Sequence, residues 1–227
     1  MVSLKFAQSQ GQVCPLCSGR ARRPVKSHHR PQVEYWLCQD CDLISLGPQF
    51  LLSAEQEKAR YLQHQNSAEQ PGYRAHLQPM VDLIFAHLGS QYKSLRGIDF
   101  GSGPQPILSE TLKNQGCHIE AYDPYFSPMK LSAAEKFDFL VSTEVVEHFY
   151  DPAKEFTQII ELLNPRSWLF VMTHLHLGEK HFESWWYPKD VTHVSFYSVR
   201  TLEWISQKFA LEICFQERNL ICFRRKI

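Results

Sequence analysis

The sequence predicts an α/β fold: a Rossmann-like, mostly parallel sheet flanked by helices, with a small cysteine-rich module ahead of it. Three observations predict it. Short apolar runs alternate with amphipathic stretches from about residue 95 to the end of the chain. One of those runs turns at once into a glycine-rich bend, followed one helix later by a strand that ends in a carboxylate. Four of the seven cysteines form two C-x-x-C pairs near the start.

A chain of 227 residues with 44% hydrophobic content has room for one α/β domain of ordinary size and a small appendage. The expected division is 1–50 for the cysteine module, 51–92 for a helical connection packed on the main domain, and 93–227 for the α/β domain. The 24 basic and 24 acidic residues cancel, so the whole chain offers no electrostatic case for nucleic acid or an anionic membrane. No run approaches the roughly 18 apolar residues of a membrane span. The first twelve residues, MVSLKFAQSQGQ, lack a basic start followed by an apolar run, so a cytoplasmic location is expected. The local excess of positive charge at Arg20, Arg22, Arg23, Lys26 and Arg30 reads as a solvated loop, with an RNA contact as its alternative.

Cys14 and Cys17, then Cys38 and Cys41, give C-x2-C-x20-C-x2-C. Each pair forms a knuckle with two sulfurs on one side of a zinc ion, and four thiolates close a tetrahedral structural site with no open position. Residues 33–37 and 43–46 read as strands entering and leaving the second knuckle, which makes a zinc ribbon. Its expected role is to staple a segment too small to bury its own core, with substrate presentation or RNA docking as the alternative. Cys117, Cys214 and Cys222 stand alone in apolar surroundings, a pattern of metal in a reducing compartment rather than of disulfides. Ser53 is the expected N-cap of a helix from Ala54 to Gln65, and a bend at Gln70, Pro71 and Gly72 precedes a second helix carrying Leu77, Val81, Ile84, Phe85 and Leu88 at helical spacing.

Residues 95–100 form the first buried strand of the main domain, and Gly101, Ser102 and Gly103 the bend that turns it into a helix from Ile107 to Gln115. Asp123 closes the next strand, 22 residues after Gly101. That is βαβ geometry in which a carboxylate accepts the ribose hydroxyls of an adenosine ligand. A dinucleotide would need backbone N–H donors around its pyrophosphate, and Pro104 and Pro106 remove two. A phosphate-free cofactor such as S-adenosylmethionine fits better.

The ordered motifs resemble the class I S-adenosylmethionine-dependent methyltransferase family. Asp99 to Gly103 looks like its first motif, Asp123 like its second-strand acid, and Phe137 to Phe149 like its fourth-strand motif with a downstream Glu-His pair. A helix opening at Asp151 and Pro152 and a turn and strand over Asn164 to Met172 continue the likeness. The resemblance implies that Asp99, Gly101, Ser102, Gly103, Asp123 and Thr143 hold S-adenosylmethionine. Only 13 residues separate Asp123 from Phe137, too few for a helix and a third strand, so that edge of the sheet is expected to be abbreviated.

Methyl transfer needs an aligned acceptor and removal of its proton. Glu144, Glu147 and His148, spaced i, i+3, i+4, are placed to bring two carboxylates and an imidazole to one side of a strand exit, with His193 ahead of the next helix. This set resembles the E-x-x-E-H plus later histidine arrangement of small-RNA 2′-O-methyltransferases and ubiquinone-pathway O-methyltransferases. That resemblance implies a second divalent ion, magnesium, manganese or iron, beside the acceptor; the plainer reading is that Glu147 and His148 cap the motif. His174 and His176 alternate at the end of the fifth strand and so are expected to point the same way. Residues 182–188, rich in aromatics, are expected at the acceptor wall or packed beneath it. Val199 to Lys208 forms a helix capped by Ser198, and residues 211–215 and 220–223 form the closing antiparallel pair. The expected acceptor is a small molecule bearing O or N. An RNA acceptor, and a non-catalytic binding module on a degenerate scaffold, stand as alternatives.

Overall fold

A computed structural model describes residues 13–63, 71–128, 131 and 134–227. The expected helix end at Gln65 and the bend at Gln70 lie outside these residues, as does the N-terminal dozen.

The cysteine module contributes β1 (Arg22–Val25), β2 (Tyr35–Cys38) and β3 (Ile44–Leu46). Helix α1 (Ala54–Tyr61) starts on a capping box in which Ser53 Oγ accepts from Gln56 N–H and the Gln56 side chain returns a bond to Ser53 N–H. Helix α2 (Pro71–Leu88) buries Leu77, Met80, Val81, Ile84 and Leu88 against the main sheet. Then come β4 (Arg96–Phe100), α3 (Ile107–Asn114), β5 (His118–Tyr122), β6 (Phe137–Thr143), α4 (Pro152–Glu161), β7 (Leu163–Met172) and α5 (Glu179–Ser184). The chain closes with β8 (Ser195–Phe196), α6 (Val199–Lys208), β9 (Leu211–Glu217) and β10 (Leu220–Arg225).

Strand order in the main sheet is β5-β4-β6-β7-β10-β9. β4, β5, β6 and β7 run parallel, and β10 enters antiparallel between β7 and β9. This is the α/β sheet expected, and β5 is its edge: among the described residues no third strand lies beyond it. The central strands are covered on both faces and carry apolar runs rather than strict alternation; in β6, Phe137, Phe139, Leu140 and Val141 are fully buried. Gly97 in β4 is held to glycine by packing, since a Cβ there would fall 2.1 Å from the Phe139 ring.

The second sheet, β1-β2-β3-β8, joins the cysteine module to a strand some 150 residues later. The basic run is a solvated loop only in part: Arg20 and Lys26 are exposed and outside the strands, whereas in β1 Arg22 donates to the carbonyls of Val13 and Trp36 and to Ser45 Oγ and Arg23 pairs with Glu179, and beyond the strand Arg30 is buried. Cys117 and Cys222 are buried as expected, but Cys214 is exposed, because it sits on the edge strand β9.

Candidate functional site

At the carboxyl ends of β4, β5, β6 and β7 a cavity of about 910 Å³ opens, the position where open α/β sheets bind ligands. Its first half is the glycine bend. Gly101 and Gly103 take left-handed φ of 84° and 69°, which only glycine adopts at little cost, and Gly101 and Ser102 N–H both donate to the Tyr122 carbonyl. Asp123, 7% exposed, lines the cavity; its Oδ1 accepts from Tyr125 and Phe126 N–H and its Oδ2 from Gly103 N–H at 3.0 Å. The carboxylate is thus pinned at the bend before any ligand arrives. Ser102 lines the same hollow, and its Oγ is buried without a hydrogen-bond partner among the described residues. Asp99 is buried beneath, accepting from Ser109 Oγ at 2.6 Å, and burial pushes its carboxyl up from 3.8 to about 6. Thr143 lines the wall opposite. All six residues expected around a nucleoside cofactor therefore border or underlie one hollow.

The second half lies toward the tips of β6 and β7. Glu144 leaves β6 in a left-handed conformation, φ 53°, which is strained for a glutamate and aims its side chain into the cavity. Burial raises its pKa, but the imidazoles of His76 and His174 outweigh that, and the net shift is downward. His76 Nε2 lies 3.6 Å from its Oε1. Glu147 is fully buried and accepts from Tyr187 Oη and from Thr173 Oγ1; burial, then the charge of Glu144, push its pKa well up. Tyr187 Oη also donates to Glu144 Oε2 at 3.2 Å, so one phenol lies between the two carboxylates.

Glu147, His148 and His193 come together: one potential ligand atom from each lies within 4.8 Å of the others. His148 Nδ1 is 3.0 Å from the Thr192 carbonyl and His193 Nδ1 2.9 Å from the Tyr187 carbonyl. A carbonyl only accepts, so each Nδ1 carries the proton and, in the neutral ring, Nε2 is the basic nitrogen. Burial lowers the His148 pKa to about 4, which keeps that ring neutral. Glu144 stands outside the trio, turned toward His76.

The four cysteines also converge. Cys14 and Cys41 sulfurs are 3.6 Å apart and Cys17 and Cys38 sulfurs 3.4 Å, too long for disulfides. Four ligands at about 2.3 Å from a tetrahedral zinc would lie about 3.8 Å from one another.

His174 and His176 do not point the same way. β7 ends at Met172, and Leu175 then bridges to Tyr197, so His174 lines the cavity while His176 is buried toward the cysteine module and donates from Nε2 to the Asp42 carbonyl. The aromatic run divides likewise: Phe182 and Trp185 pack against the cysteine-module sheet, and Trp186, 54% exposed, stands at the cavity.

Several lining residues carried no sequence signal, being placed by helices far from any motif. Glu57 of α1 accepts from Tyr61 Oη and Tyr125 Oη, both at 2.7 Å. Tyr125 follows the Asp123 loop, and Tyr61 meets the His148 ring edge-on at 5.3 Å, so one carboxylate braces both halves of the cavity.

The pattern of the methyltransferase-domain family matches residues 55–214, which takes in the bend, Glu144, Glu147 and His193. The chain belongs to the methyltransferase-domain family. Among solved structures, this methyltransferase fold is similar to Burkholderia thailandensis 1,6-didemethyltoxoflavin-N1-methyltransferase, solved with 1,6-didemethyltoxoflavin and S-adenosylhomocysteine: 14% identity, 86% of this chain and 96% of that one, TM-score 0.54. The N-methyltransferase NodS of Bradyrhizobium japonicum WM9 aligns over 75% of this chain and 97% of its own at 15% identity and TM-score 0.49. Magnesium protoporphyrin IX methyltransferase of Synechocystis PCC 6803 aligns over 78% and 97% at 16% identity and TM-score 0.49. A search of curated proteins finds no match.

Proposed function

We propose that the chain transfers a methyl group from S-adenosylmethionine to an oxygen of a small-molecule acceptor, with that oxygen placed beside a divalent ion. The observation that carries the cofactor half is the hollow at Gly101 to Gly103: the left-handed backbone of both glycines and the carboxylate of Asp123, held by three backbone N–H groups, border one cavity. In this reading Asp123 accepts from the ribose, Gly101, Ser102, Gly103 and Thr143 shape the pocket, and Asp99 supports the bend from below.

On the acceptor side, Glu147, His148 and His193 present a carboxylate and two imidazoles whose Nδ1 atoms are each anchored on a backbone carbonyl, the support that metal-ligating histidines require. Magnesium, manganese or iron suits that donor set, and when bound would lower the pKa of an acceptor hydroxyl. In this reading Glu144, which lines the cavity and is kept anionic beside His76, takes the acceptor's proton. The cysteines hold a structural zinc. Engagement of Arg22, Arg23 and Arg30 within the fold weighs against an RNA grip by this module. Residues 1–50 are read as the ribbon, 51–92 as a helical cover and 93–227 as the catalytic domain.

Calorimetric titration with S-adenosylhomocysteine, and manganese titration followed by electron paramagnetic resonance, test the two halves separately. Binding of the nucleoside that is lost in Asp123→Ala supports the first half. Manganese binding lost in His193→Ala with nucleoside binding kept supports the second. A wild-type chain that binds no nucleoside overturns the enzymatic reading.

A further inference from the structure

The cysteine module and the acceptor half share a sheet and a core, which neither methyl transfer nor a self-contained zinc staple requires. β8 begins two residues after His193, and it pairs with β3 rather than with the main sheet: Ile44 stands opposite Phe196 and Ser45 opposite Ser195. Leu46 N–H donates to the Val194 carbonyl at 2.8 Å, while Val194 N–H donates to the Glu147 carbonyl at 2.8 Å. The residue next to His193 is therefore clamped between the module on one side and the Glu147–His148 turn on the other.

Asp42 adds a second tie. It follows the last cysteine, takes φ 63°, accepts the Ser198 hydroxyl on its carboxylate at 2.6 Å and receives His176 Nε2–H on its carbonyl. Arg200 supplies a third, donating to the Gln39 and Asp40 carbonyls inside the second knuckle. Cys14, Cys38 and Cys41 lie in the same core as Tyr197, whose hydroxyl donates to the Val146 carbonyl. The cofactor bend is held differently, by Tyr122 of β5 and by Asp123.

We infer that the zinc ribbon is a positioning element of the acceptor site: through β3, Asp42 and the second knuckle it fixes the segment from Thr192 to Ser198, and with it the His193 imidazole, against Glu147 and His148. Emptying the four-cysteine site then disables the acceptor half and spares the cofactor half. The inference rests on the zinc and divalent-ion readings above, and it extends them by making one metal the condition for the other. Three short strands around a cysteine cluster hold little apolar core of their own, so their order depends on the metal, and the order of β8 depends on theirs.

The test uses the full-length, zinc-loaded protein and three variants. Asp42→Gly removes the carboxylate while suiting the left-handed backbone; Asp42→Asn keeps an acceptor for Ser198; Arg200→Ala cuts the third tie from a distance. Zinc content, S-adenosylhomocysteine affinity, manganese affinity and hydrogen exchange of the 190–198 peptide are measured on each. The expected result for Asp42→Gly and Arg200→Ala is zinc retained, nucleoside affinity within about twofold, manganese affinity down by about tenfold or more, and faster exchange over 190–198, with Asp42→Asn restored toward wild type. Unchanged exchange and unchanged manganese affinity in both variants overturn the inference, as does a parallel loss of nucleoside and manganese binding. If the wild type binds nucleoside but no manganese, the divalent-ion reading fails, and exchange over 190–198 alone decides whether the ribbon positions the segment. If Asp42→Gly does not fold, Arg200→Ala decides.

Discussion

Replacing Gly101 with alanine probes the cofactor hollow where it is tightest. Gly101 has φ 84°, and an added Cβ would lie 2.6 Å from both γ-methyl groups of Val145. Holding an L-residue in a left-handed conformation costs about 1–2 kcal/mol, and forcing a methyl into a filled space costs about 1–3 kcal/mol. The sum, about 2–5 kcal/mol, is a large share of the 5–15 kcal/mol by which a typical domain is stable. Relief comes either from pushing Val145 toward the cavity or from swinging the bend away from Asp123, and both deform the hollow. Urea denaturation of Gly101→Ala should show the stability loss. Calorimetry with S-adenosylhomocysteine should show affinity down by at least about tenfold, equivalent to 1.4 kcal/mol. A double-mutant cycle with Val145→Ala isolates the steric part, which should appear as about 1–3 kcal/mol of favourable coupling while the backbone penalty stays. Wild-type stability and affinity in Gly101→Ala, or strict additivity with Val145→Ala, would refute the reasoning.

Three further perturbations reach other parts of the site. Burial raises the Asp99 carboxyl from 3.8 to about 6. Between those values the folded chain keeps a proton that the unfolded chain has released, so stability falls as pH rises through the window, by up to about 3 kcal/mol at 1.36 kcal/mol per unit. Asp99→Asn should therefore gain on wild type by about that amount between about pH 4 and about pH 7 in urea unfolding, and a pH-independent difference would count against it. Tyr187→Phe deletes the hydroxyl shared by Glu144 and Glu147 and leaves the buried Glu147 with Thr173; a loss of about 1–3 kcal/mol in chemical denaturation is expected, and an unaltered midpoint would show that the phenol is dispensable. Glu57→Gln leaves one oxygen to serve two phenols, so nucleoside affinity should fall about threefold to tenfold, the worth of one hydrogen bond; unchanged affinity would remove Glu57 from the cofactor side.

What the sequence disclosed and what it withheld divide along contact range. The bend after β4, the acid after β5 and the abbreviated edge were legible because each is a local pattern of glycines, apolar runs and chain length. The Glu147–His148–His193 cluster was legible as a set of residues, since the spacing places two of them on one turn, but the exclusion of Glu144 was not: it depends on His76 of α2, which no motif marks. The parting of His174 and His176 was misread because alternation holds only while the strand continues, and β7 stops at Met172. Two residues, Ser195 and Phe196, join the cysteine-module sheet; a strand that short has no periodicity to detect, and its partner lies some 150 positions earlier.

The brace formed by Glu57 links traffic at the two ends of the cavity. Tyr125 and Tyr61 hang from the same carboxylate, one beside the ribose acid and the other against His148. A disturbance at either phenol is therefore felt by the other through the single Glu57 carboxylate, and the two ends of the cavity are joined by a helix that lies outside the main sheet.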